Sequence, residues 1–247
     1  MTVKIWPDRS KSSGCSKFNS HVIPAQCQSR LFEMTPKKQS QVFKKDTVFA
    51  SAQNTLLIEK RHQQIVAGAC KVFFKKGFHP TTTREIAKAC GMSIGQLYHY
   101  ISSKDDVLYL VHKHMQQVWY NYLEKSDIEK INDPVKKLTK ALHQSLIFMI
   151  ENKKLVQFVY SESKYLDKNH LRIVLDMDYK NVVGFWRNLL KEVRKTKPIK
   201  GNSDFEGSVI AYLLAFLALR GWTLDDKPSR KHVDSLVDFV LRGLGVI

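Results

Sequence analysis

The chain has 247 residues, enough for one large or two small domains whose cores need no disulfide bonds. Its 40 Lys and Arg residues exceed its 23 Asp and Glu residues by 17, and an excess of this size indicates a polyanionic partner. The four cysteines lack zinc-type spacing, the first thirty residues lack a signal-peptide apolar block, and no apolar run approaches the roughly 18 residues of a membrane span. These observations argue against a secreted, metal-binding or membrane protein and predict a cytoplasmic protein without a cofactor.

The positive charge is unevenly distributed along the chain. Residues 1–104 carry a net +12, whereas the remaining 143 residues carry +5, an ordinary value for a soluble domain. The excess therefore lies in the N-terminal part, and the phosphates of a nucleic acid are its natural counter-charge.

The sequence predicts a disordered basic extension over residues 1–54. Ser, Lys, Gln and Asn are frequent there, and single apolar residues such as Trp6 and Phe43 follow neither a helical nor a strand period. Two interpretations are open: the extension tracks DNA as a basic arm, or it has no specific function. Met34 is an alternative start of translation.

Two helices are predicted after this extension. The first runs from Leu56 to a glycine stop at Gly77, with apolar residues at three- and four-residue spacings. The second begins after Thr82, which stands three residues before Glu85 as in a capping box. Gly91 follows this short helix at the place where a left-handed residue can close it.

A third, short helix is predicted from Ile94 to Tyr100, with Ser93 as its N-cap. The segment is too short and too mixed in polarity to be a core helix. Two short helices joined by a glycine-containing turn form the helix-turn-helix pattern, in which the second helix lies in the major groove of DNA. The spacing therefore predicts a recognition helix.

The residues around this motif resemble the TetR family of transcriptional regulators. The resemblance covers about fifty residues, and it is carried by Gly77-Phe78, Thr82-Thr83, Ile86-Ala87, Gly91, Ser93, Leu97-Tyr98-His99-Tyr100, Ser103-Lys104-Asp105 and Leu108. It implies a DNA-binding domain over residues 55–102 and a helical ligand-binding and dimerisation domain over residues 103–247.

The candidate DNA contacts lie in and around the motif: Thr82, Thr83, Ser93, Ile94, Gly95, Gln96, Tyr98, His99, Tyr100 and Lys104. Gln96 matches the N6/N7 edge of adenine, Gly95 allows close approach of the backbone, and Tyr98 and His99 can meet a base edge or a thymine methyl group. Tyr98 could alternatively be a core tyrosine of the DNA-binding domain, which we call the head. The remaining polar members are expected to hold phosphates, which set register rather than sequence choice: Thr83, Ser93, Tyr100 and Lys104.

The rest of the chain predicts helices alone. Ser103 caps a long helix from Lys104 to about Glu124, which joins the head to the body and can transmit movement between them. Five further helices are predicted from residue 134 to about 152, from 154 to 164, from 169 into the basic stretch 191–200, from 203 to 221 and from 229 to 243. No run of alternating β-branched residues indicates a sheet, so the predicted fold is all-α with about nine helices.

The last two helices predict a homodimer. The segment SVIAYLLAFLALRGW is apolar on nearly all sides, and the final helix carries one apolar stripe: Val233, Leu236, Val237, Val240 and Leu244. One chain cannot easily bury both, which predicts a four-helix interface between two copies, as the resemblance also implies. The alternative is that both helices belong to the monomer core. A dimer also suits DNA, because two recognition helices related by a dyad can read a near-palindrome.

The helices between the head and this interface are rich in aromatic residues. In TetR-type proteins this region binds an effector that spreads the two heads and releases DNA. The resemblance therefore implies a ligand site here, with the candidates Phe148, Phe158, Glu162, Tyr165, Arg172, Met177, Phe185 and Trp186. Residues 162–166 and 175–178 resemble the subgroup that controls fatty-acid or aromatic-acid breakdown in response to acyl-CoA thioesters. The expected effector is an acyl-CoA or another apolar ligand. The alternative is that the aromatic residues are ordinary core.

Other classes of protein find little support in the sequence. It has no nucleophile elbow, no phosphate loop and no HExxH motif, so we expect no enzymatic activity. One alternative remains, a basic helical protein that binds nucleic acid or an anionic surface without sequence preference. The favoured interpretation is a sequence-specific regulator that binds double-stranded DNA, and the resemblance makes repression its default action.

Overall fold

A computed structural model of the chain describes residues 52–224 and 228–247, with side chains in the first helix from Leu56 onward. Within those ranges the protein is all-helical and has no strand, as predicted. The helices are α1 (Ala52–Lys76), α2 (Thr83–Cys90), α3 (Ile94–Tyr98), α4 (Lys104–Lys125), α5 (Pro134–Glu151), α6 (Lys153–Glu162), α7 (Lys168–Asp178), α8 (Gly184–Thr196), α9 (Ser203–Arg220) and α10 (Arg230–Gly243).

The first helix begins earlier than the sequence predicts. Residues 52–54 belong to α1, so the predicted extension over residues 1–54 is wrong at its C-terminal end. Ala52 and Gln53 are good helix formers, which lets the helix grow backwards from its periodic part. Residues 1–51 lie outside the described residues.

The predicted helix from residue 169 is present but carries an irregularity. A π-helical turn, Tyr179–Val183, connects α7 to α8 without a break, so these two form one rod and the described chain has nine rods. The rod ends at Lys197, whose extended backbone suits the residue before Pro198, because proline disfavours the helical conformation of its predecessor.

The described side chains form two apolar cores. The first contains the head residues Ile65, Phe73, Ile86 and Leu97 and the first half of α4, together with five residues that follow α5: Leu155, Phe158, Val159, Leu166 and Val174. The second lies between α4, α5, α8, α9 and α10 and includes Trp119 and Trp186. The first core therefore extends across the predicted boundary between residues 102 and 103, because α6 and α7 pack on the head.

A charged contact ties α7 to the beginning of α4. The ring of His170 lies between two carboxylates, with Nε2 3.0 Å from Asp106 Oδ1 and Nδ1 2.5 Å from Asp167 Oδ2. Asp106 also accepts from the backbone N–H groups of Ser102 and Ser103, at 2.5 and 3.0 Å. The N-terminal cap of α4 is thus shared between the head and the body.

Helix α9 is apolar on two faces, as predicted, and only one of them faces the core. Ile210, Leu214 and Leu217 are buried, whereas a stripe at four- and three-residue spacings is exposed, at 69% for Phe205 and 65% for Tyr212, and continues through Val209 and Phe216. The alternative that this whole helix is monomer core is therefore wrong. We call Phe205, Val209, Tyr212 and Phe216 the α9 stripe.

The predicted apolar stripe of α10 has a different place from the one expected. Val233, Val237, Val240 and Leu244 are buried in the second core of the monomer, because α10 packs against α5. Phe239, on the other side of the helix, is 64% exposed and is the large apolar side chain that α10 leaves uncovered.

The segment Ser203–Thr223 corrects one sequence-based expectation. It has 21 residues and a mean hydropathy of 1.3, so by length and composition it could span a membrane, contrary to the prediction that no apolar run is long enough. Its core-facing residues and the exposed α9 stripe together account for this hydropathy.

Candidate nucleic-acid interface

Helix α2 begins with the predicted capping box. Thr82 Oγ1 accepts from the backbone N–H of Glu85 at 3.3 Å, and the Glu85 carboxylate accepts from the backbone N–H of Thr82 at 2.9 Å. Lys76 Nζ, at the end of α1, lies 2.6 Å from the same carboxylate. The hydrogen bond from Lys76, followed by those from Thr82, lowers the pKa of Glu85 to about 2. The start of α2 is therefore charged and tied to α1.

The turn after α2 needs a glycine for its backbone. Gly91 has a φ of 66°, and the N–H groups of Gly91 and Met92 donate to Lys88 O and Ala87 O at 3.1 and 2.9 Å. A Cβ at Gly91 would have no heavy atom within 4 Å, so the left-handed conformation, not space, demands the glycine. This turn directs the chain into α3.

Helix α3 also begins with a capping box, of which the sequence predicted only the serine. The N–H of Gln96 donates to Ser93 Oγ at 3.1 Å, and the N–H of Ser93 donates to Gln96 Oε1 at 2.9 Å. The helix ends at Tyr98, two residues before the predicted end. Of its five residues, all described, Leu97 is the buried one. The cap rather than the core therefore fixes the direction of this short helix.

The side chains predicted to meet bases are presented outward. Tyr98 is 50% exposed, which contradicts its interpretation as a core tyrosine, and Ile94, Gln96 and His99 are also exposed. Tyr98 OH lies 3.2 Å from Thr83 Oγ1, a contact that orients the ring. A bidentate pair between Gln96 and adenine would need the amide oxygen that now accepts from Ser93, so the prediction for Gln96 competes with its capping role.

Lys104 has a structural partner set that the sequence did not indicate. Its Nζ donates to the carbonyl oxygens of Phe78, His79 and Thr81 at 3.1, 2.9 and 3.0 Å, and lies 4.4 Å from the centre of the Phe78 ring. An ammonium group has three donors, and these contacts use all of them. Lys104 therefore holds the loop between α1 and α2, so its predicted contact to a phosphate would require these bonds to break.

Three side chains of α1 support the motif and were missed in the sequence. Gln64 Nε2 donates to Cys90 O, at the end of α2, at 2.7 Å, and His62 Nε2 lies 3.2 Å from Tyr100 O, just after α3. Arg61 Nη1 donates to Gln64 Oε1 at 2.8 Å. The signal available was their position within the turn that precedes the buried Ile65.

The predicted ligand residues do not surround one cavity. Phe148 and Trp186 are buried in the second core, whereas Phe158 is buried in the first core and stacks on Phe73 at 5.0 Å between ring centres. The others lie apart from these: Glu162 accepts from the N–H of Phe78 at 3.3 Å, Tyr165 stacks on His79 at 5.5 Å, Arg172 is exposed, and Met177 and Phe185 are partly buried. Ligand binding by this set stays a prediction.

Three buried nitrogen atoms in the body have no hydrogen-bond partner among the described residues. They are Nε2 of His112, on α4, and Nε1 of Trp186 and Nε of Arg194, both on α8. Burial lowers the pKa of His112 to about 4, so its imidazole is neutral at physiological pH. Unpaired buried polar atoms are rare in proteins, so each of these atoms is a candidate partner for a polar group of a ligand.

Comparisons with known proteins agree with this geometry. Residues 65–109 match the sequence model of the family described as "Bacterial regulatory proteins, tetR family". The transcriptional regulator HbdR of Aromatoleum sp. (strain CIB) is 26% identical over 196 residues, which cover 76% of this chain and 79% of HbdR.

Solved structures show the same fold. FadR from Bacillus subtilis, solved in complex with stearoyl-CoA, matches with a TM-score of 0.62 at 20% identity over 74% of this chain and 98% of FadR. AibR, solved in complex with isovaleryl coenzyme A and operator DNA, matches with a TM-score of 0.57 at 18% identity over 74% of this chain and 97% of AibR. The helix-turn-helix geometry, the family model and the related regulator thus agree that residues 65–109 form a DNA-binding domain of the type found in TetR-family transcriptional regulators.

Proposed function

We propose that the protein is a sequence-specific repressor that binds a near-palindromic operator as a homodimer and leaves it when a small effector binds. The observation that carries the proposal is α3, a helix of five residues fixed by its cap, with one buried side chain and a polar, exposed face. A helix of this kind gains little stability from packing, and its exposed face can enter the major groove of DNA. A regulator acting on DNA would work in the cytoplasm.

The experiment for this function is selection of bound sequences from a random duplex library. We expect an inverted repeat, bound at least about 10³-fold more tightly than random duplex. Recovery of no sequence preference, with binding that depends on salt alone, would instead identify a non-specific basic protein.

The dimer is supported by the α9 stripe and by Phe239 of α10. Large apolar residues at 69, 65 and 64% exposure, for Phe205, Tyr212 and Phe239, would be covered if two copies paired through these helices. A twofold axis would then place the two recognition helices on related half-sites.

The dimer can be tested with one charge on the α9 stripe. Tyr212→Glu should shift the protein to monomers in sedimentation velocity, because the carboxylate would lose its water in an apolar interface. Leu175→Glu is the matched control, because Leu175 is a similarly exposed apolar residue, at 59%, that lies on α7 and is not part of the stripe. A Tyr212→Glu protein that stays dimeric would exclude an interface centred on α9.

The effector is proposed to be an acyl-CoA thioester. Two solved structures of similar fold contain stearoyl-CoA and isovaleryl coenzyme A. In this chain His112 and Trp186 each have a buried nitrogen without a partner among the described residues, with which a thioester or amide group of the ligand could form a hydrogen bond. The acyl chain would have to separate aromatic side chains that now touch, such as Phe185 and Trp186, whose ring centres are 5.0 Å apart.

The probes for this effector are stearoyl-CoA and isovaleryl-CoA, with free coenzyme A as the control. Titration into a complex with the selected duplex should release DNA with at least one acyl-CoA and not with coenzyme A. His112→Phe, which fills the interior without a polar atom, should weaken that release. Release by coenzyme A alone would place the recognition on the nucleotide and not in the interior.

A further inference from the structure

One turn of α1 holds the ends of both helices of the motif. Gln64 donates to the Cys90 carbonyl at 2.7 Å, and His62 donates through Nε2 to the Tyr100 carbonyl at 3.2 Å, since a carbonyl oxygen can only accept. The carbonyl group of Cys90, the last residue of α2, has no partner within the helix, and that of Tyr100 lies just after α3, so these bonds satisfy groups that would otherwise need water. The angle between α2 and α3 is therefore set from α1.

Arg61 stands on the same turn, at a cleft beside the recognition helix. The cleft is lined by Arg61, Gly91, Met92, Gln96 and Tyr100, that is, by α1, by the turn between α2 and α3, and by α3 and the residue that follows its cap. One donor of the guanidinium binds the oxygen of the Gln64 amide, whose nitrogen binds α2. Within the described residues Arg61 has no carboxylate partner, so its charge is not neutralised there.

We propose that Arg61 donates to a backbone phosphate of DNA at the edge of the groove that α3 enters, and that Gln64 is the residue that positions it. The inference rests on the proposed function and deepens it. Arg61 stands on α1, across this cleft from the turn at Gly91 and Met92, whereas the candidate base-reading residues lie on α3 or at its C-cap. A duplex seated on α3 would bring its sugar-phosphate backbone, and not its base edges, to this flank.

The chemistry of the guanidinium agrees with this assignment. Its planar fork has five N–H donors, and the oxygen of Gln64 fixes the orientation of the group while leaving further donors for phosphate oxygens. A phosphate contact sets register and gives a salt-dependent affinity, and it carries no sequence choice. Arg61 should therefore strengthen binding to every duplex by a similar factor.

The test compares Arg61→Met with wild type on two duplexes, the selected operator and a random-sequence pool, by fluorescence anisotropy over a range of salt. Arg61→Met should bind both more weakly, by about tenfold, and its slope of log affinity against log salt should be shallower by about 0.9 per subunit. Arg61→Lys should keep most of the slope. Lys125→Met, which removes an exposed charge at the far end of α4, is the control and should change neither value.

Each outcome decides a different question. If Arg61→Met binds within twofold of wild type with an unchanged slope, the inference is wrong while the proposed function stands. If it loses discrimination at one base pair and keeps its salt slope, Arg61 reads a base and the phosphate assignment is overturned. If wild type itself shows no preference between the two duplexes, the proposed function fails, whatever Arg61 does.

The positioning role of Gln64 has its own measurement. Gln64→Leu removes both amide contacts and should lower the ratio of operator to random affinity, because α2 and α3 lose their common support. Gln64→Leu should also weaken binding less in the Arg61→Met background than in wild type, since residues that act through each other are not additive. A lower melting temperature with an unchanged affinity ratio and additive effects would leave Gln64 a structural residue only.

Discussion

The two helices of the motif are held in place by different means. Helix α2 buries Ile86, Ala87 and Cys90, and its capping box contains a carboxylate tied to Lys76. Helix α3 buries Leu97 alone among its five residues, and its capping box is made by the neutral amide of Gln96. A helix can thus be oriented by its core or by its ends.

The difference separates a helix whose side chains stabilise the protein from a helix whose side chains are exposed for DNA recognition. Side chains of α2 are used within the protein, so changes there should alter stability more than DNA recognition. Side chains of α3 are mostly free of the core, so changes there should alter recognition more than stability. Substitutions at matched positions on or beside α2 and on α3 test this contrast.

The largest effect is expected for truncation of the buried isoleucine. Ile86→Ala should lower the free energy of unfolding by about 2–5 kcal/mol, because it leaves a cavity in the first core. Ile94→Ala, on α3, should cost less than about 1 kcal/mol, because Ile94 is 38% exposed. Denaturant titration measures both values. Equal costs at the two positions would contradict the contrast.

The two glycines should respond with opposite signs. Gly91→Ala should destabilise the protein by about 1–2 kcal/mol, because an L-residue is strained at a φ of 66°. Gly95→Ala should stabilise it by about 0.5–1 kcal/mol, because Gly95 is helical and an added Cβ would meet nothing closer than Ser93 Oγ at 4.0 Å.

The same glycine pair separates stability from binding. Gly95→Ala should weaken operator binding although it raises the melting temperature, because its methyl group lies on the proposed DNA face. A Gly95→Ala protein that binds the operator as wild type does would place the DNA elsewhere.

The capping residues Glu85 and Gln96 allow a direct comparison of the two helices, with smaller expected effects. Glu85→Ala and Gln96→Ala each remove half of a capping box and should each lower the melting temperature slightly. Gln96→Ala should in addition relax one base pair per half-site by about 1–3 kcal/mol, whereas Glu85→Ala should lower affinity without a change in sequence preference. If both substitutions weaken binding to all sequences equally, Gln96 acts only as a capping residue.

The smallest effect is expected from pH. The pKa of Glu85 is lowered to about 2 in the folded protein, so its contribution is present above the unfolded value near 4.5 and is lost as the pH falls towards 2. The stability difference between wild type and Glu85→Gln should therefore shrink across that window. Gln96 does not titrate, so the corresponding difference for Gln96→Ala should stay constant. If the two stability differences change with pH in the same way, the charge at Glu85 is not what distinguishes α2 from α3.

Local features of the fold could be predicted from the sequence because they depend on spacing. The boxes at Thr82 and Ser103, the glycine turn and the long helices follow from patterns within a few residues, and the structure contains them. The reciprocal bond from Gln96 was accessible by the same spacing, since a capping box admits glutamine at its fourth position.

Contacts between distant residues could not be predicted. Gln64 and Cys90 are 26 positions apart, and Phe78 and Glu162 are 84 apart. Periodicity shows that a helix has a buried face and does not show what covers it. For this reason the stripe of α10 was assigned to a partner although α5 covers it, and the aromatic residues of α6 and α8 were grouped although two separate cores divide them.

The first core has a consequence for how this protein can be dissected. Leu155, Phe158 and Val174 come from α6 and α7, yet they complete the apolar packing of the head. A fragment limited to residues 55–102 would leave Phe73 without the ring that stacks on it. A chimaera that transplants the motif onto another protein should therefore carry α6 and α7 as well, so the motif and part of the helical body would have to be transferred together.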